Sequence, residues 1–243
     1  MQASPGRGLD VLRAVVFDLD ATLVDHVGAA TAGLRAWLSV RAVASTPELE
    51  ARWFALEAEH FNRWRDGEIS HDEQRRERLR AFLPLVGSPV GTPDELDAEY
   101  AGFLASLRRH WRAFDDVPAV LGALRGGGLL TAVLTNGVEA LQREKLEHLG
   151  LVDAVGPLFA ADALGVAKPR PGAFTAVCER LGLEPGQVLY VGDDHEVDVL
   201  GARAAGLQAV LVDRTGSAPP AERCAVASLS EVLELPEVRA ALR

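Results

Sequence analysis

Four groups of polar residues stand at the ends of apolar runs, and together their types could do acid, base and anion chemistry. Asp18-Leu19-Asp20 follows the run Val11 to Phe17, with Asp25 completing the stretch FDLDATLVD. Thr135-Asn136-Gly137 follows Leu129 to Leu134, Lys168 stands beyond Leu158 to Ala161, and Gly192-Asp193-Asp194, with Asp198 further on, follows Val188 to Val191. Carboxylates collected where a buried strand ends repel one another and lose solvation unless something cationic joins them. The pattern therefore points to a metal, a lysine and an anionic substrate. Each element also has an ordinary reading: an Asp after a strand caps a helix, Thr-Asn-Gly makes a turn, and a Lys before Pro is solvated. One such element alone decides nothing, whereas four at successive strand ends would face one crevice.

The runs that carry these ends are short and apolar, as buried parallel strands are, and Ala209 to Val212 adds another. Between them lie segments of helical periodicity, Val138 to Leu149, Pro171 to Leu181 and Val197 to Ala205, the last two followed by Gly182 and Gly206, which suit helix C-caps. Alternating strands and helices predict an α/β fold with a doubly wound parallel sheet, in which function collects at the carboxyl edge of the strands. The stretch from His26 to Phe114 differs. It has no strand-like run but repeated amphipathic patterns, such as Trp53, Leu56, Phe61 and Trp64, and reads as about four helices. All 4 tryptophans fall within it, which fits a bundle building its own core. The expected organisation is an α/β core made of residues 1–25 and 115–243, with residues 26–114 inserted at the active edge as a helical cap.

Composition excludes several function classes. The net charge is −10, and the basic residues are scattered instead of forming a stripe, which argues against nucleic-acid polymers and anionic membranes as partners. Cys178 and Cys224 have no metal-ligand spacing and read as ordinary thiols of a reducing cytosol. No apolar stretch approaches the ~18 residues of a membrane span, so a cytoplasmic location is expected, with residues 1 to 10 as a flexible lead-in. A monomer or homodimer fits equally.

DLDATLVD, the helical insertion, VLTNG, GVAKPRPGAF and VGDDHEVDVLGARAAG, in that order, resemble the haloacid dehalogenase superfamily of phosphohydrolases from about residue 13 to about residue 213. Two positions depart from the family pattern: Ala21 stands where Gly is usual, tolerable if its φ is below zero, and Asp194 stands where Ser or Thr is commoner, adding charge near the metal. The resemblance implies roles that physical chemistry makes sensible. Asp18 would be the nucleophile, forming an aspartyl-phosphate, since a carboxylate ionised at neutral pH attacks without a base. Mg²⁺ would be held by the Asp18 carboxylate, the Asp20 backbone carbonyl and Asp193, with Asp198 supporting that shell. Asp20 would protonate the leaving oxygen and then activate water. Thr135, with the N–H groups of Asn136 and Gly137, would bind the phosphoryl oxygens, and Lys168 would offset the collected negative charge.

Rival readings are a metal-free 2-haloacid dehalogenase, a phosphomutase, a response-regulator receiver and a non-catalytic binding protein. A departing halide needs no proton, so Asp20 speaks against dehalogenation; a receiver lacks a helical insertion after its first strand. The implied partner is a small phosphomonoester, with a nucleoside monophosphate or a sugar phosphate as candidates. TNGVEALQREKLEHLGL and FNRWRDGEISHDEQRRERL are similar to the branch containing pyrimidine 5′-nucleotidases and N-acylneuraminate-9-phosphatases. Arg75, Arg76 and Arg78 could contact an anionic substrate or form a solvated helix face, His26, His71 and His195 read as surface residues, and Trp64 could stack on a nucleobase or join the bundle core.

Overall fold

Strands β1 (Ala14–Phe17), β2 (Leu130–Thr135), β3 (Leu158–Ala160), β4 (Val188–Gly192), β5 (Gln208–Val212) and β6 (Ala225–Val226) form one wholly parallel sheet in the order β3-β2-β1-β4-β5-β6. The computed structural model describes residues 11–243, and the lead-in expected at residues 1 to 10 lies outside them. The central strands are continuous apolar runs because both faces are covered. Val15, Phe17, Val133, Leu189 and Val191 enter one buried cluster, and Ala14, Val16, Ala132, Leu134, Val188 and Tyr190 enter the other, as the two-residue period of a strand requires. The first cluster is closed by helix α5 (Val117–Gly126), which buries Val117, Val120, Leu121 and Leu124 at helical spacing.

The doubly wound parallel sheet expected from the sequence is present. β2 runs one residue further than its apolar stretch and takes in Thr135, and helix α6 (Glu139–His148) follows at once. The segment expected as a helix over 197–205 is instead a π-helical turn, His195–Leu200, continued by an α-helix, Gly201–Ala204. β6 was not expected; two residues carry no periodicity to read.

The chain packs as two units, one running through Asp25 and resuming at Ala113–Arg243, the other His26–Arg112. The second unit contains α1 (His26–Ser39), α2 (Pro47–Arg65), α3 (His71–Phe82) and α4 (Pro93–Arg108), with a 3₁₀ turn at Leu83–Val86. Thr46, Ser70 and Thr92 cap α2, α3 and α4 by accepting from the backbone N–H three residues on, and Glu95 returns the bond to Thr92. Trp53 packs against Phe82, Phe103 and Trp37 with ring centroids 4.8, 4.6 and 5.9 Å away. The three arginines weighed as substrate contacts are engaged within this unit. Arg78 is 2% exposed, donates to Glu57 at 3.1 Å and lies over the rings of Trp53 and Tyr100. Arg76 forms a fork with Asp97, and Arg75 lies over Tyr100. Trp64, half-buried, meets Phe61 and His71 edge-on at 5.0 and 4.9 Å.

Candidate active site

The strand order reverses beside β1: β2 lies on one side of it and β4 on the other, so a crevice opens at their carboxyl ends. Asp18 leaves β1 there, Thr135 ends β2 and Asp193 follows β4. The Lys168 ammonium, 2% exposed, donates to Asp18 Oδ1 at 2.6 Å, to Asp198 Oδ1 at 2.7 Å and to the Tyr190 hydroxyl at 2.8 Å. Tyr190 in turn donates to the Leu134 carbonyl at 3.1 Å, which anchors the ammonium to β2 from behind. Asn136 brackets the Lys168 backbone, its Nδ2 donating to the carbonyl and its Oδ1 accepting from the N–H, at 2.9 and 2.8 Å. Asn136 therefore fixes the loop that carries Lys168.

Carboxylate oxygens of Asp18, Asp193 and Asp198 lie within 4.8 Å of one another. Asp198 reaches them because the wide π-helical turn brings it over Gly192, where a Cβ would come within 2.4 Å of its Oδ2. Asp198 Oδ2 also accepts from the Asp194 N–H at 3.1 Å, and Thr22 donates to Asp193 Oδ1 at 3.2 Å. Three carboxylates thus face one ammonium. Burial pushes the Asp18 carboxyl well above the ordinary carboxylate range; Lys168 opposes this, and Asp198 and Asp193 reinforce it. Asp193, the most open of the three, is pushed up to about 7 by burial of its carboxyl and then by Asp198. Burial works against the charge on Lys168, but Asp18 and Asp198 outweigh it and hold the ammonium well above its usual range. Burial thus makes ionisation of Asp18 costlier, and positive charge added in the crevice would offset that cost. Three hard oxygen donors short of a counter-charge fit a divalent cation such as Mg²⁺.

Asp20 points elsewhere. Its Oδ1 accepts from the Lys145 ammonium at 2.5 Å and its Oδ2 from Gln142 Nε2 at 2.7 Å. Gln142 Nε2 also donates to Thr135 Oγ1 at 2.9 Å, which accepts from the Gly137 N–H at 3.1 Å as well. The Gly137 N–H, expected to serve phosphoryl oxygens, is thus spent on Thr135 in this structure.

Both departures from the family pattern acquire a physical account. Ala21 has φ of +66°, not below zero, in a turn pinned by its N–H to the Val24 carbonyl at 2.8 Å. Asp194 N-caps the π-helical turn, accepting from the N–H groups of Glu196 and Val197 at 2.9 Å each. Asp, Ser and Thr all cap well, so the exchange preserves the local role. His195 contacts Glu222 at 3.2 Å and His26 contacts Glu57 at 3.6 Å.

Thr22, Gln142, Lys145 and Tyr190 were not singled out from the sequence. Gln142 and Lys145 did carry a signal: they share the buried face of α6 with Leu146, where apolar residues belong.

The chain is 31% identical over 243 residues to mouse N-acylneuraminate-9-phosphatase, with 94% of each chain covered. Among solved structures, the Bacillus subtilis hydrolase YfnB, described as bound to magnesium, shares the fold at a TM-score of 0.80 and 22% identity, covering 92% of this chain and 97% of that one. A 2-haloacid dehalogenase from Pseudomonas syringae pv. Tomato DC3000 superposes at a TM-score of 0.63 with 28% identity, covering 94% and 98%. A model of the haloacid dehalogenase-like hydrolases matches residues 12–206, and the chain, with its carboxylates and lysine gathered at the carboxyl edge of a parallel sheet, belongs to that family.

Proposed function

We propose that this chain is a Mg²⁺-dependent phosphatase that hydrolyses a small phosphomonoester through an aspartyl-phosphate on Asp18. The observation that carries this reading is the second carboxyl, Asp20, tied through one amide to Thr135. An alkoxide needs a proton as it leaves and a departing halide does not, so an acid coupled to an anion-binding hydroxyl favours phosphoryl transfer over dehalogenation. The likeness to an N-acylneuraminate-9-phosphatase supports the same choice.

Asp18, Asp193 and Asp198, with the backbone carbonyl of Asp20, are the donors assigned to Mg²⁺, which when bound supplies the positive charge that three carboxylates and a phosphate dianion lack. A carboxylate oxygen of Asp18 forms the bond to phosphorus as the bond from phosphorus to the ester oxygen breaks, and the Asp20 carboxyl gives its proton to that oxygen. Water then attacks the aspartyl-phosphate, its proton passes to Asp20, the bond from phosphorus to Asp18 breaks, and inorganic phosphate leaves. The Thr135 hydroxyl holds a phosphoryl oxygen through both steps, while the Lys168 ammonium, bonded to Asp18 and Asp198, offsets the negative charge gathered around the transferring group.

The helical unit, 26–112, is assigned the task of discriminating substrates, in keeping with its insertion directly after the turn that carries Asp20. The likeness to an N-acylneuraminate-9-phosphatase favours a sugar phosphate over a nucleoside monophosphate, while Arg75, Arg76 and Arg78, engaged inside that unit, support neither. The test is phosphate release from a panel of phosphorylated metabolites with Mg²⁺, comparing wild type, Asp18→Asn and Trp64→Ala. Mg²⁺-dependent release lost in Asp18→Asn supports the reaction; halide release from chloroacetate without phosphate release would replace it. A preference for UMP or dTMP that disappears selectively in Trp64→Ala would reverse the choice of substrate class.

A further inference from the structure

We infer that Gln142 and Lys145, both on α6, are positioning residues that fix the acid and the anion-binding hydroxyl of the site as one unit; this rests on the phosphatase reading above. The two side chains lie one turn apart on the same helix face, and both are nearly inaccessible, at 2% and 3% exposure. Such a position on a helix against a sheet ordinarily takes Leu or Val. A buried ammonium costs several kcal/mol unless it is paired, and a well-packed apolar residue would be at least as stabilising, so packing alone does not account for Lys145.

Their hydrogen bonds follow from one proton count. Lys145 donates to Gln142 Oε1 at 2.8 Å as well as to Asp20, so the amide oxygen faces the ammonium and the amide nitrogen faces Asp20 and Thr135. Both amide protons are then used, one on Asp20 Oδ2 and one on Thr135 Oγ1. Thr135 Oγ1 already accepts from the Gly137 N–H, so its two lone pairs are filled and its own proton must point outward as a donor. That is the polarity a phosphoryl oxygen requires. Lys145 and Gln142 together grip both oxygens of Asp20 by one lone pair each, which sets the plane of the group; the proton that Asp20 delivers is carried on the second lone pair of one of those oxygens.

The backbone independently accommodates this arrangement. A Cβ at residue 137 would come within 2.2 Å of Gln142 Nε2 and 2.7 Å of its Cδ, so the amide lies directly across the glycine. A side chain at 137 would expel Gln142 from its place between Asp20 and Thr135.

The two residues have separable effects. Lys145 bonds Asp20 directly and meets Thr135 through the Gln142 amide, so Lys145→Met should lower kcat on glycerol phosphate by about 30-fold, a partial loss of the roughly 100- to 10,000-fold that general-acid catalysis supplies. On p-nitrophenyl phosphate, whose leaving group needs little protonation, the loss should stay within about 3-fold, and KM should not move for either substrate. Lys145→Arg keeps the charge and the donors and should restore most of kcat on glycerol phosphate. Gln142→Leu releases Thr135 as well, so it should raise KM for both substrates. Equal kcat losses on the two substrates in Lys145→Met, or Lys145→Arg behaving no better than Lys145→Met, would overturn the assignment. If wild type releases no phosphate from either compound, the phosphatase reading fails, and the unit is judged on denaturation midpoints alone. Losses for Lys145→Met and Asp20→Asn that fall well short of adding in the double variant sustain it, and additive losses overturn it.

Discussion

Replacing Ala21 by Gly tests how the turn behind the nucleophile is built. Ala21 has φ of +66°, a conformation that costs an L-residue about 1–2 kcal/mol and glycine almost nothing. The turn gives it no alternative: the N–H groups of Leu23 and Val24 both donate to the Leu19 carbonyl, at 3.0 and 2.9 Å, while the Ala21 N–H reaches back to Val24. Glycine also loosens the unfolded chain, which offsets about 0.4–1 kcal/mol of the relief. Ala21→Gly should therefore stabilise the sheet unit by about 0.5–1 kcal/mol, raising Tm by about 2–3 °C for a chain of this length. In urea, with m near 3 kcal/mol/M, the midpoint should rise by about 0.2–0.3 M with m unchanged. Ala21→Val, β-branched in the left-handed region, should move the midpoint down by more than that. A lower or unchanged midpoint in Ala21→Gly would mean that contacts of the methyl group outweigh the backbone strain, and the reasoning would fail.

The metal assignment predicts that EDTA abolishes phosphate release and that Mg²⁺ raises Tm in wild type but not in Asp193→Asn. The folded-state carboxyl of Asp193, pushed up to about 7, lies above its ordinary value, so the metal-free protein should lose stability as pH rises from about 4 through 7; Asp193→Asn should flatten that loss, and an unaltered profile would refute it. Asp20→Asn should slow alkyl phosphates more than aryl phosphates, and equal losses would place Asp20's contribution in the second half-reaction. In the helical unit, burial opposes the charge on Glu57, but Arg78 and His26 outweigh it and hold its carboxyl down to about 2. That lies below the unfolded value, so the pair's contribution of about 2–3 kcal/mol is present above pH 5 and disappears as pH falls through 4 towards 2. Glu57→Gln should accordingly destabilise at pH 7 and hardly at all at pH 2, as followed by circular dichroism; equal losses at both would sever stability from that charge.

The sequence by itself determined the sheet and the gathering of polar residues at its edge. A strand buried on both faces must be largely apolar, so β1, β2 and β4 announce themselves, and a polar cluster at such an end has few physical uses. Asp18, Thr135 and Asp193 were legible for that reason, since each is a local contradiction between an apolar strand and the polar residue at its end, and Lys168 was legible as the cation in the loop beyond β3. Residues whose meaning depends on a distant neighbour were not legible. Gln142 and Lys145 read as two more polar positions of a charged helix until β2 is seen to lie beside β1, which brings the inner face of α6 to Asp20 across more than a hundred residues of chain. Tyr190 lies inside the apolar run Val188 to Val191 and acquires a role only because the loop bearing Lys168 sets an ammonium 2.8 Å from its hydroxyl. Arg78 looked like a solvated or substrate-facing charge until Glu57, Trp53 and Tyr100 closed around it. The sign of φ at Ala21 was likewise settled by the hydrogen bonds of the whole turn. Composition and periodicity report how one residue meets water or its neighbours in the chain; which charge meets which is decided by strand order and helix placement, and only the folded structure supplies those.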